Sequence, residues 1–176
     1  MKSYDYANRQ GLEEIGWERF YQLTSQLVES LADARVEAVV GIARAGLIPA
    51  ATVACALRLM LYPVGVSRRI NDKVVYKQPL WIADVISEVK GKIVAVVDEI
   101  SDTGETLALV ANRVRERGAN QVITASLVSH SWADPQPDVV GLVTDALVIF
   151  PWDRQVYKDG QWQFHPEYDE AAKKLE

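Results

Sequence analysis

Three observations predict an α/β fold built on a mostly parallel, twisted sheet flanked by helices. Strand-like and helix-like segments alternate along the chain. One of them, Lys92–Asp98 (KIVAVVD), is a continuous β-branched run suited to the middle of a parallel sheet. No repeat, low-complexity run or Gly/Ser/Pro-rich linker divides the 176 residues, a length that fits one domain.

Taken in order, Gly16–Ala34 reads as an amphipathic helix. Trp17, Phe20, Tyr21, Thr24, Leu27, Val28 and Leu31 recur at three- and four-residue steps. Glu37–Ala43 (EAVVGIA) is a short buried strand. Leu47–Met60 is a helix, apolar almost all round, with Pro49 in the first turn where proline is tolerated. Tyr62–Ser67 and Lys73–Lys77 read as strands, and Lys92–Asp98 is the clearest one. A helix over Gly104–Arg117 turns Leu107, Val110, Ala111 and Val114 inward and stops at Gly118. Gln121–Ser129 and Val139–Phe150 supply further strands, separated by the turn-forming Asp134-Pro135-Gln136-Pro137. Pro166–Glu176 reads as a short charged helix or a loose tail.

Composition excludes several function classes. Hydrophobic residues make up 49% and charged residues 24%, the mix of an ordinary globular chain. Cys55 is the sole cysteine, so no disulfide framework is available and a reducing, cytoplasmic setting is expected. Met1-Lys2-Ser3-Tyr4-Asp5 does not lead into the apolar core of a signal peptide. The longest apolar stretch, Leu47–Leu57, lies between Arg44 and Arg58 and falls short of the ~20 residues that cross a bilayer. Membrane partners are therefore not expected. The net charge of −5 argues against a nucleic-acid surface. That charge is uneven: −3 over residues 1–37, +1 over 38–158 and −3 over 159–176. The acidic excess thus lies away from the segments below. With one cysteine and only His130 and His165, no zinc site can be assembled. No Gly-x-Ser-x-Gly elbow, Walker A loop or GxGxxG fingerprint occurs. His165 receives no role, and Trp81, Trp132 and Trp162 are assigned to packing or an interface.

The chemically informative segment is Val96–Leu107 (VVDEISDTGETL). A buried strand ends in two acids, and a turn of small hydroxyl residues and a glycine then opens a helix. Ligands of open α/β sheets bind beyond the carboxyl ends of strands. Helix-start N–H groups and the positive end of the helix dipole suit a phosphate. Ser101, Thr103 and Thr106 add hydroxyl donors, and Gly104 lets the backbone close around an anion. Asp98 and Glu99 suit hydroxyl pairs or Mg²⁺. A phosphate seat beside a diol and metal seat describes a sugar phosphate. A plain capped helix entry accounts for the turn but not for paired acids ending an apolar strand.

The segment resembles the motif by which type I phosphoribosyltransferases bind 5-phosphoribosyl pyrophosphate (PRPP): two acids, two residues, then Asp-Thr-Gly-x-Thr. The resemblance extends from about Gly16 to Asp153 and is closest to the xanthine, guanine and hypoxanthine branch. It implies one domain over residues 1–176, with a hood contributed by the N-terminal segment and residues from about 130 to 176. Mg²⁺ is the implied cofactor, PRPP and a nucleobase are the implied substrates, and a homodimer or other homo-oligomer is the implied assembly. Asp98, Glu99, Ser101, Thr103, Gly104, Glu105 and Thr106 would then hold PRPP, with Asp98 and Glu99 reaching the diol directly or through the metal. Asp102 matches the position that takes a proton from the purine nitrogen.

Gly41–Ala50 looks like the family's pyrophosphate loop, with Ala43, Arg44 and Ala45 at the leaving group and an unusual cis peptide near Ala43–Arg44. Ala45-Gly46 stands where many relatives have Gly-Gly. Ser67–Asp72 lies where the family has a mobile loop, and Arg68 with Arg69 could screen pyrophosphate charge there; a solvated basic turn is the other reading.

Asp145–Asp153 (DALVIFPWD) resembles the base-binding segment of the purine branch, which places Leu147, Val148 and Ile149 at the base. Asp153 then stands where relatives help to order a second metal ion. Leu147 occupies a position usually held by an aromatic cover, and His130 the region of a lysine that reaches the purine oxygen. Ordinary core is the alternative for Leu147 and Phe150, and a satisfied polar residue at a strand end is the alternative for His130. The implied activity is Mg²⁺-dependent transfer of 5-phosphoribose to a nucleobase, a 6-oxopurine on this resemblance, for nucleobase salvage. A non-catalytic PRPP or nucleotide sensor and a pyrimidine enzyme are the competing readings.

Overall fold

Hydrophobic spacing sets the first long element. In the computed structural model, residues 9–67, 69–70, 73–74 and 80–164 are described. The elements run β1 (Leu12–Glu14), α1 (Trp17–Asp33), β2 (Ala38–Ala43), α2 (Leu47–Leu57), β3 (Leu61–Ser67), β4 (Arg69–Ile70), β5 (Lys73–Val74) and β6 (Leu80–Ala83). A 3-10 turn at Ser87–Val89 leads to β7 (Ile93–Ser101), α3 (Glu105–Glu116), β8 (Gln121–Ser129), β9 (Val139–Val143), β10 (Leu147–Ile149), β11 (Gln155–Lys158) and β12 (Gln161–Phe164). They fall into two compact units. One spans Leu23–Val143; the other joins the chain up to Gln22 with the chain from Thr144 onward.

In the larger unit a six-stranded sheet has the order β6-β3-β2-β7-β8-β9. Every neighbouring pair is parallel except β3 with β6. Because side chains alternate across a strand, β2 serves both faces. Val40 and Ile42 join Val94, Val96 and the inner face of α3 (Leu107, Val110, Ala111, Val114) in one apolar cluster. On the other face Gly41 lets α2 approach, since a Cβ there would collide with Ala50 and crowd Leu47. Helices therefore cover both faces, as the β-branched runs require. The fold class expected from the sequence is the one observed.

In α1 the buried stripe is Phe20, Leu23, Thr24, Leu27 and Leu31, whereas Trp17 and Tyr21 are mostly exposed. Trp17 meets Phe20 edge-on, at 5.9 Å between ring centroids, and leaves most of its surface open. Leu27→Ala should lower the unfolding free energy by roughly 2–5 kcal/mol in urea, because a fully buried leucine leaves a cavity that the core fills only in part.

Several boundaries differ from expectation. α2 ends at Leu57, not Met60: Arg58 adopts φ 58°, and the Leu59 N–H donates back to the Ala54 carbonyl at 2.9 Å, closing the helix. β7 runs past Asp98 because Ile100 and Ser101 still pair with Val128 and Ser129. Val139–Phe150 is two strands. β9 completes the large sheet, while β10 pairs in parallel with β1, Leu12 opposite Leu147. Of the strand expected at 73–77 only β5 is described, paired with β4; residues 75–77 and the expected tail helix at 166–176 lie outside the described residues. In the smaller unit the rings of Phe150 and Trp152 stack at 4.9 Å, and Phe20 meets Trp152 edge-on at 5.4 Å. The β11–β12 hairpin completes that unit.

Candidate active site

The chain leaves β2 through α2 to β3 on one side, and leaves β7 through α3 to β8 on the other. The strand order therefore reverses between β2 and β7, where an open α/β sheet forms its ligand crevice. Both candidate loops, 43–46 and 102–104, leave the carboxyl ends of these two strands.

Asp98 lies near the end of β7 and is only 8% exposed. Its Oδ1 accepts the Glu99 N–H at 3.0 Å. Burial pushes the Asp98 carboxyl well above the usual carboxylate range, and the adjacent Glu99 charge acts in the same direction. Such a pair favours whatever supplies a proton, a hydroxyl donor or a cation. Among the described residues no three His, Cys, Asp or Glu side chains gather to hold a metal. Two adjacent carboxylates without a third protein ligand fit Mg²⁺, which keeps several waters and takes other ligands from substrate oxygens.

Ser101 closes β7 with its Oγ buried and without a hydrogen-bond partner among the described residues. Gly104 then opens α3 at φ 84°, a left-handed conformation that favours glycine. A Cβ there would also strike the Pro135 carbonyl. Gly104 at the N-cap offers no side-chain cap. The Asp134 N–H donates to the Thr103 carbonyl at 3.0 Å, and Thr103 Oγ1 accepts the Glu105 N–H at 3.4 Å. Thr103 and Glu105 are exposed and Thr106 is half-buried, so this helix start faces outward with the dipole and N–H donors an anion needs.

At the end of β2 the Ala43–Arg44 peptide is cis, where the resemblance puts it. Arg44 is exposed and Ala45 half-buried. Gly46 is buried hard against Asp98, since a Cβ on it would run into Asp98 Oδ1 and the Ile42 carbonyl. The two loops thus meet at Asp98. Gly46→Ala should cost roughly 1–3 kcal/mol of stability in urea unfolding, because backbone rather than a flexible side chain has to move. It should also weaken PRPP binding in calorimetric titration by displacing Asp98. Arg68 lies outside the described residues, as do Asn71 and Asp72.

Asp102 is half-buried and lies beside the segment that follows β8. The His130 ring is fully buried, with Nε2 3.8 Å from Asp102 Oδ1. The structure therefore places His130 behind Asp102, with no surface open to a ligand. Trp132, assigned to packing or an interface from the sequence, stacks on His130 with centroids 4.4 Å apart and donates its indole N–H to Asp102 Oδ1 at 3.3 Å. Sequence reasoning missed that contact. Its place three residues beyond the end of β8 carried no signal without the pairing of β8 with β7.

In the smaller unit, Leu147 and Ile149 are buried on β10 and Val148 is half-buried. The Leu147 N–H donates to Gly11 O and Ile149 O accepts the Ile15 N–H, so both face β1. Half-buried Asp153 follows, its N–H donating to Phe150 O at 3.0 Å.

The phosphoribosyl transferase domain matches residues 17–156. The chain belongs to that family. This phosphoribosyltransferase is 27% identical over 147 residues to a xanthine-guanine phosphoribosyltransferase of Idiomarina loihiensis, covering 81% of this chain and 88% of the relative. A crystal structure of a purine phosphoribosyltransferase from Pyrococcus horikoshii superposes with a TM-score of 0.75 at 28% identity, covering 85% of this chain and 99% of that one. A Neisseria gonorrhoeae protein, solved with bound ppGpp, shares the fold at a TM-score of 0.70 and 22% identity, over 95% of this chain and 98% of that one. No described helix of the phosphoribosyltransferase is long and apolar enough to cross a membrane.

Proposed function

We propose that the protein transfers 5-phosphoribose from PRPP to a ring nitrogen of a 6-oxopurine, releasing pyrophosphate and giving a nucleoside 5′-monophosphate for purine salvage. The observation that carries this reading is the continuous path from buried Asp98 and half-buried Glu99 to the glycine-opened start of α3, set where the strand order reverses. Support for the purine class comes from relatives whose names specify purine substrates.

On this reading Thr103, Gly104, Glu105 and Thr106 form the 5′-phosphate seat, with the backbone N–H groups and the helix dipole as donors. Ser101 Oγ adds a donor at the base of that seat. Asp98 and Glu99 accept the ribose hydroxyls and hold Mg²⁺, and Asp153 helps to order a second ion. When bound, the metal neutralises the leaving pyrophosphate and lowers the cost of its departure. Ala43, Arg44 and Ala45 line the pyrophosphate side, with Arg68 as a further cation. Asp102 takes the proton from the attacking purine nitrogen as the C1′ bond to pyrophosphate breaks. The N-terminal segment and residues from about 130 to 176 supply the hood, with Leu147, Val148 and Ile149 at the base. The protein works in the cytoplasm as a homo-oligomer.

Incubating the protein with PRPP and Mg²⁺ and each of xanthine, guanine, hypoxanthine, adenine, uracil and orotate, with mass analysis of the product, tests this assignment. A monophosphate of xanthine, guanine or hypoxanthine is expected. Product with orotate or uracil alone would move the enzyme to the pyrimidine class.

A further inference from the structure

The segment that follows β8 is tied to the catalytic turn by main-chain and side-chain contacts, all within one compact unit. The His130 N–H donates to the Ser101 carbonyl at 3.1 Å, and the Asp134 N–H donates to the Thr103 carbonyl at 3.0 Å. These bonds fix the residues on either side of Asp102. The segment is itself braced: Gln136 Nε2 donates to the His130 carbonyl at 2.9 Å, and Ser129 Oγ donates to Gln136 Oε1 at 2.8 Å. Trp132 projects from this brace. One face of its ring lies on the fully buried His130 at 4.4 Å and 21°, so the indole plane is set against a packed side chain. Its N–H then points at Asp102 Oδ1, 3.3 Å away, with His130 Nε2 3.8 Å from the same oxygen.

We propose that Trp132, backed by His130, is a positioning residue that holds the Asp102 carboxylate in its proton-accepting orientation. The inference rests on the assignment of Asp102 as general base. A carboxylate on an outward-facing turn can sample several rotamers, and only some aim an oxygen at the base. An indole N–H is a donor with no acceptor role, so it fixes Oδ1 and leaves Oδ2 for the substrate proton. The 3.3 Å separation is long for such a bond. Bonds of this kind shorten in the substrate complex as charge at the catalytic group becomes better defined. The indole is 39% exposed, yet its N–H is turned to Asp102.

The test compares wild type, Trp132→Phe, Asp102→Asn and the double variant, each checked for an unchanged melting temperature. Phenylalanine keeps an aromatic ring against His130 but removes the N–H, along with part of the stacked surface. Trp132→Phe should lower kcat by about tenfold, the scale of one hydrogen bond to a charged group, with the KM values for PRPP and purine nearly unchanged. In the Asp102→Asn background the same substitution should have no further effect, because both changes act through one carboxylate. Trp132→Leu, which loses the stack as well, should fall below Trp132→Phe. Wild-type kcat in Trp132→Phe overturns the proposal, as does a raised KM for purine alone, which would make the indole a base-stacking surface. Equal losses from Trp132→Phe with aspartate or asparagine at 102 would make its role independent of Asp102. An inactive wild-type enzyme, or an undiminished Asp102→Asn, overturns the reading beneath it instead and this proposal with it.

Discussion

Asp102→Asn is expected to lower kcat by about two to four orders of magnitude, the range over which a positioned general base contributes, while the KM for PRPP stays within a few-fold of wild type. The substitution leaves β7, the left-handed Gly104 and the first turn of α3 in place, so the proposed phosphate seat persists. The amide oxygen can still accept the Trp132 N–H but cannot take up a proton at neutral pH. The loss therefore falls on the chemical step alone. Steady-state kinetics with PRPP varied at saturating purine checks this, and an unchanged kcat removes Asp102 from the catalytic role.

Asp98→Asn is expected to move stability and binding in opposite directions. Burial raises the folded-state pKa of Asp98 above that of the unfolded chain, so the folded protein binds this proton more tightly. The stabilisation that follows is complete below the ordinary carboxylate range. It is lost as pH rises through the elevated folded-state value. Asparagine stays neutral and can still accept the Glu99 N–H. In a metal chelator the variant should exceed wild type at pH 8 by about 1 kcal/mol, a typical gain when a strained active-site group is removed. That advantage should vanish toward pH 4. Binding of Mg²⁺ with PRPP should weaken at least about tenfold, since one of two carboxylates is gone. Thermal melts across pH and calorimetric titration read the two effects separately. A variant less stable than wild type at pH 8 would contradict the burial cost assigned to the Asp98 carboxylate.

Much of the fold was legible because its signals are local. The near-continuous apolar runs of β2 and β8 and the period-3.6 stripes of α1 and α3 bring observed boundaries within one or two residues of expectation. What was missed depends on tertiary partners. Arg58-Leu59-Met60 is apolar enough to continue a helix, yet Arg58 turns left-handed and the chain enters β3. Thr144-Asp145-Ala146 carries no strong breaker, yet it separates a strand of the large sheet from one that pairs with β1. β6 and the β11–β12 hairpin are short, exposed and without a buried run, so no periodicity announced them.

The candidate site divides in the same way. Asp98–Thr106 is contiguous in sequence, so its strand, turn and helix start were readable as one unit. The contact of Gly46 with Asp98 requires β2 and β7 to be neighbours. The burial of His130 and the Trp132–Asp102 bond require β8 to lie beside β7. Those are facts of sheet order, which residue spacing does not contain.

Phosphoribosyl transfer itself is tested most directly by the initial rate of pyrophosphate release from PRPP with Mg²⁺, measured with and without a 6-oxopurine. The expected result is release that depends on the base and matches nucleotide formation one for one. PRPP binding without release in the presence of any base would contradict it and leave a ligand sensor on the same fold.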